Sequence, residues 1–263
     1  MGEYIIDRWM PDAIRQACNE LGYRHTTYSD DWIIRIQSGN ALRWVFGYFF
    51  DLNAYAASQN ANDKVACYQA LTEANIPALP HLLIRPQILT DDYVAGLRAQ
   101  LSDGDVVLKP LAGTSGYDIT RHSSVDEAID YARTKERPDW CLSPMVEIQS
   151  EKRLCMLDDE VLLAYEKTIP TDEGGIRYFN LGKGAQAVTV MPTPNELLLA
   201  RGAMQTLGLR VTTVDIITLR DGSQQAIEVN CGITMEHFMR QSEEYKVIGY
   251  ATYKKIIAKM MQN

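Results

Sequence analysis

The sequence predicts an α+β chain, and three observations carry that expectation. Apolar, strand-like runs come in pairs joined by short turns; the clearest pair is 214–217 and 226–230 around Asp221-Gly222, a strong hairpin signal. A second pair, 106–108 and 117–121, flanks a turn of small residues from Ala112 to Gly116. Separately capped helices lie between such pairs: Ser124-Val125-Asp126-Glu127 and Thr193-Pro194-Asn195-Glu196 are both capping boxes.

In chain order, 11–22 suits a short helix with Pro11 in its first turn and Gly22 at its end. Extended runs at 32–36 and 42–46 carry Arg35 and Arg43, either ordinary solvent-facing strand residues or carboxylate-binding forks. Asn62-Asp63 cap a helix ended by Ile76-Pro77, residues 81–84 read as a strand, and 91–101 as a helix. The strand at 140–146 is broken by Pro144, which suits an edge or a linker between lobes. Strands follow at 153–157 and 161–167, then a Gly-rich stretch, 170–186, expected to be a long loop with little to bury. Helices close the pattern, one ending at Gly208 and one capped by Ser242 and running to about residue 260.

Composition narrows the function. The chain has 263 residues, 46% apolar and 23% charged, which allows one large domain or two to three small ones. A net charge of −8 argues against nucleic acid or anionic membrane as the main partner. No apolar run approaches the roughly 18 residues of a membrane span, and the first residues lack the basic start and apolar core of a signal peptide, so a cytoplasmic setting is expected. Five scattered cysteines form no Cys-x-x-Cys pair and four histidines no metal pattern, so neither zinc nor a His dyad is expected to carry chemistry.

The acid-bearing hairpin is the most informative stretch. Glu228 and Asn230 are two apart on one strand and share a face, and Asp215 lies on the partner strand within reach of it. Two carboxylates and an amide oxygen form a hard-cation site of the kind that holds Mg2+ alongside phosphates. A solvated hairpin face is the plainer alternative, but acids within runs this apolar would be buried and would need a charge partner. Lys109 at a strand end before a Gly/Thr/Ser turn can hold phosphates, although a plain hairpin reads the same way. Lys64 sits in the first turn of its helix, the wrong end for a cation on dipole grounds, so it is either solvated or turned toward an anion.

These pieces occur in a fixed order, and there the chain resembles the ATP-grasp superfamily of carboxylate–amine ligases, nearest the branch with ribosomal-protein glutamate ligases and glutathione synthetase. The motifs are NDK (62–64), VVLKPLAGTSG (106–116), SPMVEIQSEKR (143–153), FNLGKGA (179–185), TTVDII (212–217) and IEVN (227–230). The resemblance implies two α+β lobes gripping nucleotide, at 61–142 and 143–263, behind a shortened N-terminal α/β region at 1–60. It implies phosphate contacts from Lys64 and Lys109, a covering loop of Gly113, Thr114, Ser115 and Gly116, and adenine read by the backbone at Met145 and Val146. Glu151, with Glu147 as rival, would hold the ribose, and Asn180 would face the nucleotide from its loop. Arg153 would act on the acyl-phosphate with Arg177 and Lys109, and Asp215, Glu228 and Asn230 would hold Mg2+, with Mn2+ as a substitute. The implied reaction joins a carboxylate to an amine, on small-molecule or peptide substrates, at the expense of ATP; a phosphotransferase and a non-catalytic nucleotide-binding module are the alternatives. A homodimer is left open.

Four departures stand out. Cys231-Gly232-Ile233 replaces the family's usual Ser-Pro-Gly after the final asparagine, the segment before Glu151 is shorter, Arg177 falls one place earlier than expected, and the first domain is much reduced.

Overall fold

The computed structural model describes residues 7–101, 104–113 and 116–262. Helix α1 (Met10–Leu21) precedes a four-stranded antiparallel meander, β1 (Arg24–Tyr28), β2 (Ile33–Ser38), β3 (Ala41–Phe46) and β4 (Phe49–Phe50). Two helices follow, α2 (Tyr55–Asn62) and α3 (Lys64–Glu73). A second antiparallel sheet is built from β5 (Leu82–Ile84), β6 (Val106–Pro110), β7 (Thr120–His122) and β8 (Trp140–Pro144), in the order β5-β8-β6-β7. Its helices, α4 (Asp91–Leu101) and α5 (Val125–Arg133), bury Leu97, Leu101, Ala128 and Ile129 against Val106, Leu108, Trp140 and Leu142.

The third sheet is the largest. Strands β9 (Ile148–Leu157) and β10 (Glu160–Thr168) form one hairpin, the small β11 (Thr171–Glu173) and β12 (Ile176–Tyr178) another, and β13 (Gln186–Thr189) returns to the sheet edge. After α6 (Pro194–Thr206), β14 (Val211–Leu219) and β15 (Gln224–Asn230) complete the order β13-β10-β9-β14-β15. Helices α7 (Glu236–Met239) and α8 (Glu243–Met260) end the chain. The α+β class expected from the sequence is what the chain adopts, with antiparallel pairing throughout its sheets.

Several local expectations change. The stretch 170–186 is not a structureless loop: it holds the β11–β12 hairpin and buries Ile176, Tyr178 and Phe179. Its turn is Gly174-Gly175, both with positive φ, the two-residue glycine turn that right-twisted hairpins favour. The second strand of the Gly-turn pair begins at Thr120 rather than at residue 117, and β9 begins at Ile148. A division after residue 60 would cut α2, and one after residue 142 would cut β8; the link between the second and third sheets is 145–147. Nor does the N-terminal segment stand apart, since α1, β2 and β3 share one apolar cluster with α8, β9 and β10 through Ile14, Ile36, Val45, Tyr253, Leu157 and Tyr165.

Candidate active site

The site follows from strand alternation. On β9, Leu154 and Met156 enter the dry core beneath α6, so Glu151, Arg153 and Cys155 take the opposite face. On β14, Val214 and Ile216 join the same dry core and leave Thr213 and Asp215 opposite. Pairing then lines these residues up: one row across the sheet runs Tyr165, Arg153, Asp215, Glu228. The neighbouring row sets Lys167 beside Glu151, and Thr213 lies opposite both Cys155 and Asn230.

That face is ionic and buried. Arg153 grips Asp215 with both arms, Nε to Oδ1 at 2.7 Å and Nη2 to Oδ2 at 2.5 Å. Lys167 Nζ lies 3.2 Å from the same carboxylate and donates to Glu151 Oε1. Burial alone would push the Asp215 carboxyl up, but Arg153 and Lys167 outweigh it and hold the group down at about 2. Burial raises Glu151 above the usual carboxylate range despite Lys167. Arg153 and Lys167 also resist burial, which by itself would favour their neutral forms; Asp215 keeps both charged.

The second sheet supplies facing cations. Asp63 caps α3 by accepting from the backbone N–H groups of Val65 and Ala66, which fixes Lys64 at the helix start. Lys64 is turned toward the site: Nζ donates to the Gly113 carbonyl at 3.1 Å and lies 3.4 Å from Glu228 Oε1. Lys109 is buried at the end of β6, opposite Cys141, and burial with the nearby Lys64 charge lowers its affinity for the proton. Gly116 has φ +71°, and a Cβ there would lie 3.5 Å from Asn180 Nδ2, so the Gly turn meets the β12 end. Asn180 Oδ1 itself accepts from Gly182 N at 2.8 Å. Thr114 and Ser115 lie outside the described residues. Met145 and Val146 are half-buried in the link between β8 and β9, with Met145 N donating to Asp105 O at 2.8 Å.

Two expected residues are not drawn in. Arg177 is exposed on β12, 5.7 Å over the Phe179 ring, with no tie to the Arg153 row. Glu147 is exposed and pairs with the equally exposed Arg220 at 3.0 Å. Two others were missed. Lys167 sits on β10, where its strand reads as an apolar run ended by a lysine, and its acids come from other strands. His81 is fully enclosed, donates or accepts through Nδ1 at Leu79 O, leaves Nε2 unpartnered, and is held well below its usual range by burial and by Lys109.

The donor set suits a hard cation. Asn230 Nδ2 and Thr213 Oγ1, opposite each other in register, are buried without hydrogen-bond partners. Turning the Asn230 amide over would present its oxygen at that unfilled position beside Asp215 and Glu228. Both carboxylates are engaged by cations, so a metal entering here exchanges with Arg153, Lys167 and Lys64 rather than meeting bare acids. Among the described residues no three His, Cys, Asp or Glu side chains gather to hold a metal by themselves.

Two antiparallel sheets facing each other with lysines on one and a buried acid row on the other are the arrangement of an ATP-grasp protein. Residues 61–247 match the RimK-like ATP-grasp domain, and the chain belongs to that family. A probable alpha-L-glutamate ligase of Citrobacter koseri is 27% identical over 191 residues, covering 71% of this chain and 61% of that one, so the chain spans about three-fifths of this curated relative. Among solved structures, the macrocyclase MdnC of Microcystis aeruginosa MRC, bound with precursor peptide MdnA, superposes with a TM-score of 0.63 at 12% identity, covering 97% of both chains. The D-cycloserine synthetase DcsG gives 0.60 at 20% identity, covering 77% of this chain and 71% of that one. The ligase PsnB, complexed with a minimal precursor, Mg and ADP, gives 0.54 at 18%, covering 77% and 62%. These structural likenesses show the fold. Among the described residues no helix is long and apolar enough to cross a membrane.

Proposed function

We propose that the chain is an ATP- and Mg2+-dependent ligase that joins a carboxylate to an amine through an acyl-phosphate. The observation that carries this reading is the convergence of Lys64, Lys109 and Arg153 with Asp215 and Glu228 across two lobes, without any nucleophilic Ser, Cys or His among them. A free carboxylate has no leaving group, so its oxygen first attacks the γ-phosphorus of ATP and expels ADP; the amine then attacks the acyl carbon and expels phosphate. The protein's part is positioning and charge neutralisation. Lys64 and Lys109 hold the phosphates beneath the 113–116 turn. Arg153, released from Asp215, meets the charge that develops on the acyl oxygen. When bound at Asp215, Glu228 and Asn230, Mg2+ would bridge phosphate oxygens and neutralise their charge.

Glu147, in the link itself and held only by an exposed pair, is better placed for the ribose than Glu151, which is locked against Lys167. Lys167 then serves as a positioning residue, holding Asp215 and Glu151 in register. Relatives whose names mention glutamate or precursor peptides support amino-acid or peptide substrates.

The test is ADP release over pairs of amino acids and short peptides, with products weighed by mass spectrometry. An amide that requires both partners supports the ligase. Amine-independent ADP release with a stable phosphorylated product would make the protein a phosphotransferase instead.

A further inference from the structure

The N-terminal sheet carries a second recognition surface, well separated from the acid row. Alternation leaves Arg24, Thr26 and Tyr28 on one face of β1, Arg35 and Gln37 on that face of β2, and register places Leu42, Trp44 and Phe46 of β3 beside them. The opposite face buries Ile34, Ile36 and Val45 against α1 and α8. Tyr28, Leu42, Trp44 and Phe46 are all exposed, although large apolar side chains on one sheet face would ordinarily be covered. A cleft of about 470 Å³ wraps the β1 edge, lined by Asn19, Tyr23, Arg24, His25, Thr26, Arg35 and Gln37. It contains no acid, in a chain whose net charge is −8.

The two arginines are the telling feature. Arg15, Arg85, Arg98 and Arg121 all pair with carboxylates, whereas neither Arg24 nor Arg35 has an acid partner among the described residues. Arg35 donates only to Thr26 Oγ1, at 3.2 Å, and lies 5.8 Å from the Tyr28 ring centre. Thr26 is directly opposite Arg35, so Arg24 is its diagonal neighbour, and diagonal side chains in a sheet stand about 7–8 Å apart. Alternate side chains of an extended chain repeat every ~6.6–6.8 Å, close to that spacing. A single small diacid fits the gap less well than acids on every second residue of a strand. β1 is also the edge of its sheet, where an extended segment can add by main-chain hydrogen bonds.

We propose that this edge docks an extended acidic peptide, its alternate Asp or Glu side chains on Arg24 and Arg35 and its apolar side chains over Tyr28 and Trp44. The far edge of the same sheet touches the end of the acid-bearing hairpin, with Ile233 N donating to Tyr48 O at 2.8 Å, so a docked peptide would lie on a surface continuous with the ligase site. Tethering a peptide substrate is a use that rests on the ligase reading; docking itself does not.

Binding is therefore measured without nucleotide, by anisotropy of a fluorescein-labelled, strand-length peptide of alternating Glu and Val. The expected result is saturable binding that weakens about tenfold or more when Glu is replaced by Gln, when both Arg24→Glu and Arg35→Glu are introduced, or when salt is raised toward 1 M. Lys109→Ala should bind the peptide as the natural protein does, and the charge-reversed protein should retain its ATP affinity. If that protein does not fold, as judged by circular dichroism, Arg24→Gln with Arg35→Gln carries the same test. Equal affinity for the Gln peptide, binding unmoved by the arginine changes, competition by free glutamate at the peptide's own concentration, or loss in Lys109→Ala would overturn the proposal.

Discussion

Two sets of arginine and aromatic side chains on two sheets make an instructive contrast. On the five-stranded sheet, Arg153 is buried and bound by both arms to Asp215, with Tyr165 beside it in register. On the N-terminal sheet, Arg35 is half-exposed, bound to a hydroxyl and near an exposed Tyr28. Burial decides the difference. A guanidinium taken from water needs an anion, and the sheet supplies Asp215; at the surface, water solvates the charge and leaves it available for a partner from outside. The buried set thus exchanges ions when substrates arrive, whereas the exposed set adds them. Substitutions should consequently act strongly on turnover at the first sheet and weakly, and in a salt-dependent way, at the second.

The largest effect should come from Glu228→Gln. It removes an anionic oxygen facing Lys64 and the proposed cation site while keeping the shape, so turnover should vanish and thermal stability change little. Retained turnover at ordinary Mg2+ would take Glu228 out of the site and blur the contrast.

Next, Arg153→Ala should lower kcat by about a hundred- to a thousandfold, the ~3–4 kcal/mol typical of a lost oxyanion partner, with the KM for ATP moving only a few-fold. Parallel loss of ATP binding and turnover would make Arg153 a nucleotide ligand. Arg35→Ala should leave ADP release from small substrates unchanged, and a comparable drop there would erase the distinction between the two sheets.

A smaller effect concerns acid. Asp215 is held at about 2 against an ordinary 3.8, so its folded-state affinity for the proton is depressed. Such a group stabilises the fold above its unfolded pKa, and that stability is lost as pH falls from 3.8 toward 2. The shift corresponds to roughly 2 kcal/mol, at about 1.4 per pKa unit. Urea unfolding of Asp215→Asn should lack this acid-dependent component, at the cost of a lower midpoint at neutral pH because Arg153 loses its anion. An identical slope in both proteins between pH 4 and 2 would show the pair to be weaker than its geometry.

The sequence showed some of this directly and hid the rest for physical reasons. Asp221-Gly222 announced the hairpin that sets Asp215 opposite Glu228, because turn chemistry is local. The start of β9 was hidden because Gln149, Glu151 and Arg153 alternate with Ser150 and Lys152, giving a strand with no apolar face over its first half. Lys167 was hidden because its partners arrive from two other strands, which no spacing encodes. Helix α2, YAASQNAN, has neither a side-chain cap nor a long apolar stripe, and only its packing of Ala61 against the α6 core marks it. The β11–β12 turn had a readable signal in Gly174-Gly175, outweighed by the glycine content around it. Arg177 and Glu147 were placed by motif position, and one-residue shifts on a strand reverse the face a side chain takes.

The most direct measurement follows oxygen. A donor that supports ADP release is labelled with 18O in its carboxyl group and turned over with ATP, Mg2+ and the amine, and the phosphate is analysed by mass spectrometry. Activation through an acyl-phosphate leaves one donor oxygen on each phosphate released, in step with amide formed, and Glu228→Gln should yield neither. Unlabelled phosphate, or labelled product without any amide, would contradict the account.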